Sequence, residues 1–142
     1  MTAGEVDVSV ADYVADRDAI HDVRREVFVV GQSVPAEIEV DGQDPVCVHV
    51  LARWGSESVG TGRMLPDGHI GRVAVRAPFR NRGIGTKLIQ QLIEVAREEG
   101  LDRVFLGSQV RATAFYERLG FQQCGSRYVE AGIEHTTMEK SI

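Results

Sequence analysis

The sequence predicts a single α/β domain, residues 1–142, on one mixed sheet in the order β-α-β-β-β-α-β-α-β-β. Three observations lead there. Strands linked by short turns occupy the middle of the chain, which makes that part of the sheet antiparallel. A strand, a glycine-containing turn, a long amphipathic helix and a short apolar strand come next, and such a β-α-β unit makes the centre parallel. Finally, no internal repeat and no linker-like tract divides the chain.

Taken in order, residues 5–10 (Glu-Val-Asp-Val-Ser-Val) alternate polar and apolar, as a half-buried strand does. Asp16 offers an N-cap, after which Ile20, Val23, Val27 and Val30 recur at helical spacing as far as Gly31. These are β-branched residues, so that helix owes its stability to packing more than to propensity. Residues 31–45 are polar and acidic, carry Pro35 and Pro45, and read as a long loop with one helical turn. Val46 to Trp54 reads as a strand with Val46, Val48, Val50 and Ala52 on one face, and Ser58 to Leu65 as its hairpin partner. Pro66-Asp67-Gly68 turns the chain into a strand from His69 to Arg76, which Pro78 closes because it lacks the amide hydrogen a ladder needs.

The next helix, Gly83 to Glu99, presents a stripe of Ile84, Leu88, Leu92 and Val95, widened by Ile89, Ile93 and Ala96. Gly100 supplies its stop. Arg103 to Leu106 is a short apolar strand, and Arg111 to Leu119 a helix stopped by Gly120. Two strands, 123–129 and 135–140, finish the chain.

Composition narrows the function. With 43% apolar residues and a net charge of −5, the chain is neither disordered nor a general nucleic-acid binder. No stretch reaches the ~18 apolar residues of a membrane span, and the first residues lack a signal-peptide pattern, so a cytoplasmic protein is expected. Cys47 and Cys124 stand apart from any ligand-spaced Cys or His, so no metal is expected. Charge is unevenly spread: residues 1–50 hold eleven acids against three arginines. Residues 68–93 hold Arg72, Arg76, Arg80, Arg82 and Lys87 and no acid, which points to an anion bound mid-chain.

Arg80-Asn81-Arg82-Gly83-Ile84-Gly85 lies where a strand passes through a glycine turn into the long helix. Unpaired amides of a first helical turn, the helix dipole and glycine's open backbone together make a phosphate cradle. It is not a Walker loop, because Thr86 rather than Gly precedes Lys87. Nor is it a dinucleotide fingerprint, because Leu88 fills the third glycine position.

These residues resemble the signature of the GCN5-related N-acetyltransferases (the GNAT family), Arg/Gln-x-x-Gly-x-Gly/Ala between the fourth strand and the third helix. Ala112-Thr113-Ala114-Phe115-Tyr116-Glu117-Arg118-Leu119-Gly120-Phe121 is similar to the family's second motif, Ala-x-x-Phe-Tyr-x-x-x-Gly-Phe. Val23-Arg24-Arg25-Glu26-Val27-Phe28-Val29-Val30-Gly31-Gln32-Ser33-Val34-Pro35 further resembles the small bacterial ElaA/YjcF-like acetyltransferases. The resemblance implies the acyl-CoA N-acyltransferase (GNAT) fold, with central splayed strands and acetyl-CoA as acetyl donor between them. The edge Val73, Ala74 and Val75 would pair with the pantetheine arm. Arg82, Gly83, Ile84, Gly85 and Thr86 would give amides to the pyrophosphate, with Arg80 and Asn81 in the same turn. Gln109 and Phe115 complete the expected cofactor-binding set.

Amine acetylation needs a deprotonated amine, a polarised thioester carbonyl and a proton for the leaving thiolate. By its place in the second motif, Tyr116 is the expected proton donor. Glu39, Asp41, Asp44 and His49 are candidates for the base, with water as an alternative, while His21, His69 and His135 read as structural or exposed. The acidic N-terminal third favours a small cationic amine as acceptor. Two other readings keep the motif: acetylation of a protein N-terminus or lysine, and a CoA-binding regulatory module without turnover. A homodimer follows by family analogy alone.

Overall fold

The computed structural model describes residues 6–142, so Glu5, the expected first residue of the opening strand, lies outside the described residues. Eight strands form one sheet: β1 Asp7–Ala11, β2 Val48–Trp54, β3 Glu57–Met64, β4 His69–Val75, β5 Arg103–Gln109, β6 Gln122–Gln123, β7 Tyr128–Glu130 and β8 Ile133–Ser141. Their order is β1-β2-β3-β4-β5-β8-β6, with β7 also on β8. Every pairing is antiparallel except β4 with β5.

Helix α3, Ile84–Glu98, lies on one face, and all seven residues of its predicted stripe are buried. Gly83 begins it at φ 78° and Gly100 leaves it at φ 80°, backbone positions that glycine adopts without strain. Helix α1, Tyr13–Arg24, covers the other face, where Val23, Val27 and Ala74 form a second small core. Strand β2 is therefore buried on both sides, Val50 and Ala52 toward the α3 core and Leu51 and His49 away from it, rather than on the one face that alternation suggested.

Several local expectations change. Asp12, not Asp16, caps α1 by accepting from the Val14 amide at 3.0 Å, while Asp16 reaches back to the Asp12 amide at 3.1 Å. Beyond Arg24 the helix widens into a π-turn, Arg25–Val30, so Val30 rotates off the apolar stripe and is 73% exposed. Val46 sits in a 3-10 turn, Asp44–Val46, outside β2 and exposed. The predicted one-turn helix is α2, Ala36–Glu39, and α4 is Thr113–Arg118. Strand β5 runs to Gln109, three residues past the predicted end, and the expected 123–129 strand splits into β6 and β7 around Gly125 and Ser126.

Candidate active site

The central pairing gives the site its shape. Strands β4 and β5 pair only at His69 with Phe105 and Ile70 with Leu106. Beyond that level they part. A bulge in β4 falls at the same place: its register with β3 shifts between Thr61 and Arg63, and Arg72 takes φ 50°. Arg76 donates its amide to Val59 of β3, so by strand alternation Val75 and Val73 turn their backbone groups toward the opening. The Val75 carbonyl already accepts there from Arg80 Nε at 2.9 Å. Ala74 points its side chain into the α1 core.

At the C-terminal end of β4 stands the start of α3. Gly83 caps it with no side chain, and an added Cβ there would meet nothing within 4 Å. The amides of Ile84, Gly85 and Thr86 thus begin a helix without partners from a cap. A Cβ on Gly85 would touch the Phe115 ring at 3.4 Å, so α4 braces this turn from below. Asn81 takes φ 63°, and the Arg82 guanidinium lies 5.1 Å from the Trp54 ring centre. Arg72 and Arg76 face acidic groups, whereas Arg80, Arg82 and Lys87 have no acidic partner among the described residues. Three free cations at an uncapped helix N-terminus suit a diphosphate.

The opening between β4 and β5 is a cleft of about 360 Å³. Of the predicted residues, Glu39, Val73, Gln109 and Tyr116 line it. Burial pushes the Tyr116 hydroxyl up to about 12, so it stays protonated at neutral pH. His49 lies elsewhere. It is 2% exposed, stacked 4.6 Å from the Tyr13 ring centre, and its Nε2 meets the Asp44 carbonyl at 2.9 Å. Burial also holds its pKa below the ordinary histidine range.

The acidic loop is occupied internally. Buried Arg24 donates to the Glu39 carboxylate, to Asp44 Oδ1 at 2.7 Å and to the Glu39 carbonyl at 3.1 Å. Arg63 donates to Asp44 Oδ1 and Asp41 Oδ1, both at 2.9 Å, and Arg72 lies 3.4 Å from Asp41 Oδ2. Hydrogen bonding from Arg63 holds the Asp41 carboxyl well below the usual range. Burial alone would raise Asp44, but Arg24 and Arg63 outweigh it and lower it too. Three arginines thus match the three acids, and the loop is a clamp that presents Ile38 and Glu39 to the cleft.

The rest of the wall was not anticipated. Gln32, Arg72, Tyr128, Glu130 and His135 line the cleft together with Tyr116. The Tyr128 hydroxyl lies where Gly107 would carry a Cβ, 2.1 Å from that position, so any side chain there would displace the Tyr128 ring. Gln109 Nε2 donates to Gln32 Oε1 at 2.9 Å and ties β5 to the end of the π-turn. The sequence did hold one signal for the clamp: Arg24 falls four residues after Ile20 and three before Val27, on an apolar helix face. Nothing local marks the other wall residues, which register alone assembles.

Among the described residues no group of three or more metal-ligating side chains occurs, and no helix is long and apolar enough to cross a membrane. A family model described as an acetyltransferase (GNAT) domain matches residues 12–142. The uncharacterized N-acetyltransferase YjcF of Bacillus subtilis is 34% identical over 128 residues, 87% of this chain and 91% of the relative. The crystal structure of an acyl-CoA N-acyltransferase from Pseudomonas aeruginosa aligns with TM-score 0.86 at 30% identity, over 96% of this chain and 99% of that one. Escherichia coli ElaA aligns with TM-score 0.85 at 28% identity, over 96% and 99%.

Proposed function

Because the chain belongs to the GNAT acetyltransferase family, whose members use acetyl-CoA, we propose that it transfers the acetyl group to a primary amine of a small acceptor by direct attack in a ternary complex. The observation that carries this reading is the splay of β4 from β5 beside the uncapped N-terminus of α3. The residues fit the coenzyme: the open backbone at Gly83, the close floor under Gly85 and the three unpaired cations suit its diphosphate. Val73 and the Val75 amide offer backbone groups to the pantetheine arm, as an edge strand does, while the Val75 carbonyl is held by Arg80.

Tyr116 supports the chemistry. Its hydroxyl keeps its proton at neutral pH and can donate it to the sulfur as the C–S bond breaks and charge develops there. Burial penalises tyrosinate and thiolate alike, so their proton affinities rise together and transfer stays feasible. The acceptor enters as an ammonium ion, and Glu130 in the cleft wall, with the net charge of −5, favours a small cation.

The test is release of free thiol from acetyl-CoA with a diamine, an amino alcohol and an amino-acid amide, each beside a lysine-containing peptide. Turnover with small amines and none with the peptide is expected. Turnover confined to the peptide would reject the small acceptor, and acetyl-CoA binding with no turnover would reject transfer.

A further inference from the structure

The transferase reading above leaves one role open, the group that takes the acceptor's proton. Among cleft residues Glu39 is engaged by Arg24, and His49 lies outside the cleft altogether. His135 meets neither obstacle. Strand register places it: Gln109, on the part of β5 beyond the point where β4 leaves it, pairs directly with His135 on β8, and both line the cleft. Residues directly opposite share a sheet face, so His135, Gln109 and Tyr128 rise on the same side of the opening.

The imidazole is held in one tautomer. Its Nδ1 lies 2.7 Å from the Ile133 carbonyl oxygen. A carbonyl can only accept, so Nδ1 carries the hydrogen and the neutral ring keeps its lone pair on Nε2. No partner for Nε2 is found among the described residues, and the ring stacks on Tyr128 with centroids 5.5 Å apart. A base needs such a fixed, free lone pair, and His135 lines the cleft.

We infer that His135 is the general base, its Nε2 accepting the proton of the acceptor amine in the cleft. His135 takes one proton from the ammonium ion, and the freed nitrogen lone pair forms the C–N bond as the C–S bond breaks. Tyr116 gives its proton to the departing sulfur and recovers one from the nitrogen, now part of an amide. His135 then releases its proton to solvent, so one proton leaves per acetyl transferred. The groups around the ring are Tyr128 and Glu130 from β7, Gln109 from β5 and Arg111, which binds Gln109 Oε1 at 3.0 Å. Its strand neighbour Glu134 lies 3.4 Å from Arg127.

The test is His135→Asn, whose amide can still donate to the Ile133 carbonyl but has nothing at Nε2. With the best amine of the panel, or with water as acceptor if no amine is turned over, kcat should fall roughly 100-fold or more. The rise of rate with pH that follows imidazole deprotonation should vanish, while the acetyl-CoA Kd stays within about 2-fold. An unchanged kcat and pH profile would overturn the inference. So would nitrogen-15 NMR of the wild-type protein showing the neutral ring protonated at Nε2, a result that needs no turnover. Failure of acetyl-CoA to bind would instead sink the transferase reading and leave the tautomer result standing.

Discussion

Asp44→Asn tests whether the acidic loop is a clamp. Asp44 is 2% exposed, and its Oδ1 is shared by Arg24 Nη1 at 2.7 Å and Arg63 Nη1 at 2.9 Å. Those arginines are themselves 1% and 4% exposed, so neither can turn to water for compensation. The substitution leaves Arg24, Arg63 and Arg72 facing only Glu39 and Asp41. Breaking one partner of a buried ion pair costs roughly 3–5 kcal/mol, a large share of the ~5–15 kcal/mol that holds a domain together. Urea unfolding followed by far-UV circular dichroism should therefore show the midpoint falling steeply. Asp41→Asn, with a side chain 30% exposed, should cost less.

The pH dependence has a definite sign. Asp41 and Asp44 have folded-state pKa values below their unfolded ones. Their stabilisation is therefore complete above about pH 4 and is lost as the pH drops further, through the lowered folded values. Asp44→Asn should flatten that acid limb. A loss of less than ~1 kcal/mol, with the acid limb unchanged, would refute the clamp.

Tyr116→Phe should leave the acetyl-CoA Kd within about 2-fold while lowering kcat by roughly 100-fold, since only the proton donor is removed; an unchanged kcat in a coupled thiol assay would clear Tyr116 of that role. Gly107→Ala places a methyl 2.1 Å from the Tyr128 hydroxyl, so the Tyr128 ring must swing away from the cleft. The acceptor KM should rise several-fold with acetyl-CoA affinity intact, and identical kinetics would show that Tyr128 does not shape the acceptor wall.

What the sequence revealed follows from the range of the interactions. Helix α3 and its turn were legible because a 3.6-residue stripe, a starting glycine and a stopping glycine are local signals. The parallel centre was legible from the β-α-β order. The α1 cap was misplaced because Asp12 and Asp16 stand one turn apart and both serve the first turn, only one as the cap. Val30 was misjudged because a π-turn changes helical phase without a sequence mark. The loop acids looked free to attract substrate because their partners, Arg24, Arg63 and Arg72, lie as far as 31 residues away along the chain. His135 read as bland for a similar reason. Only the pairing of β8 with β5 and the bond to Ile133 give it a place and a tautomer.

The most direct trial of the whole account is calorimetric titration of acetyl-CoA into the folded protein, wild type and Gly85→Val side by side. One-to-one binding by the wild type, weakened at least 10-fold when valine closes the backbone above Phe115, is the expected result. No heat with the wild type, or equal affinity in the two proteins, would contradict a diphosphate site at the start of α3.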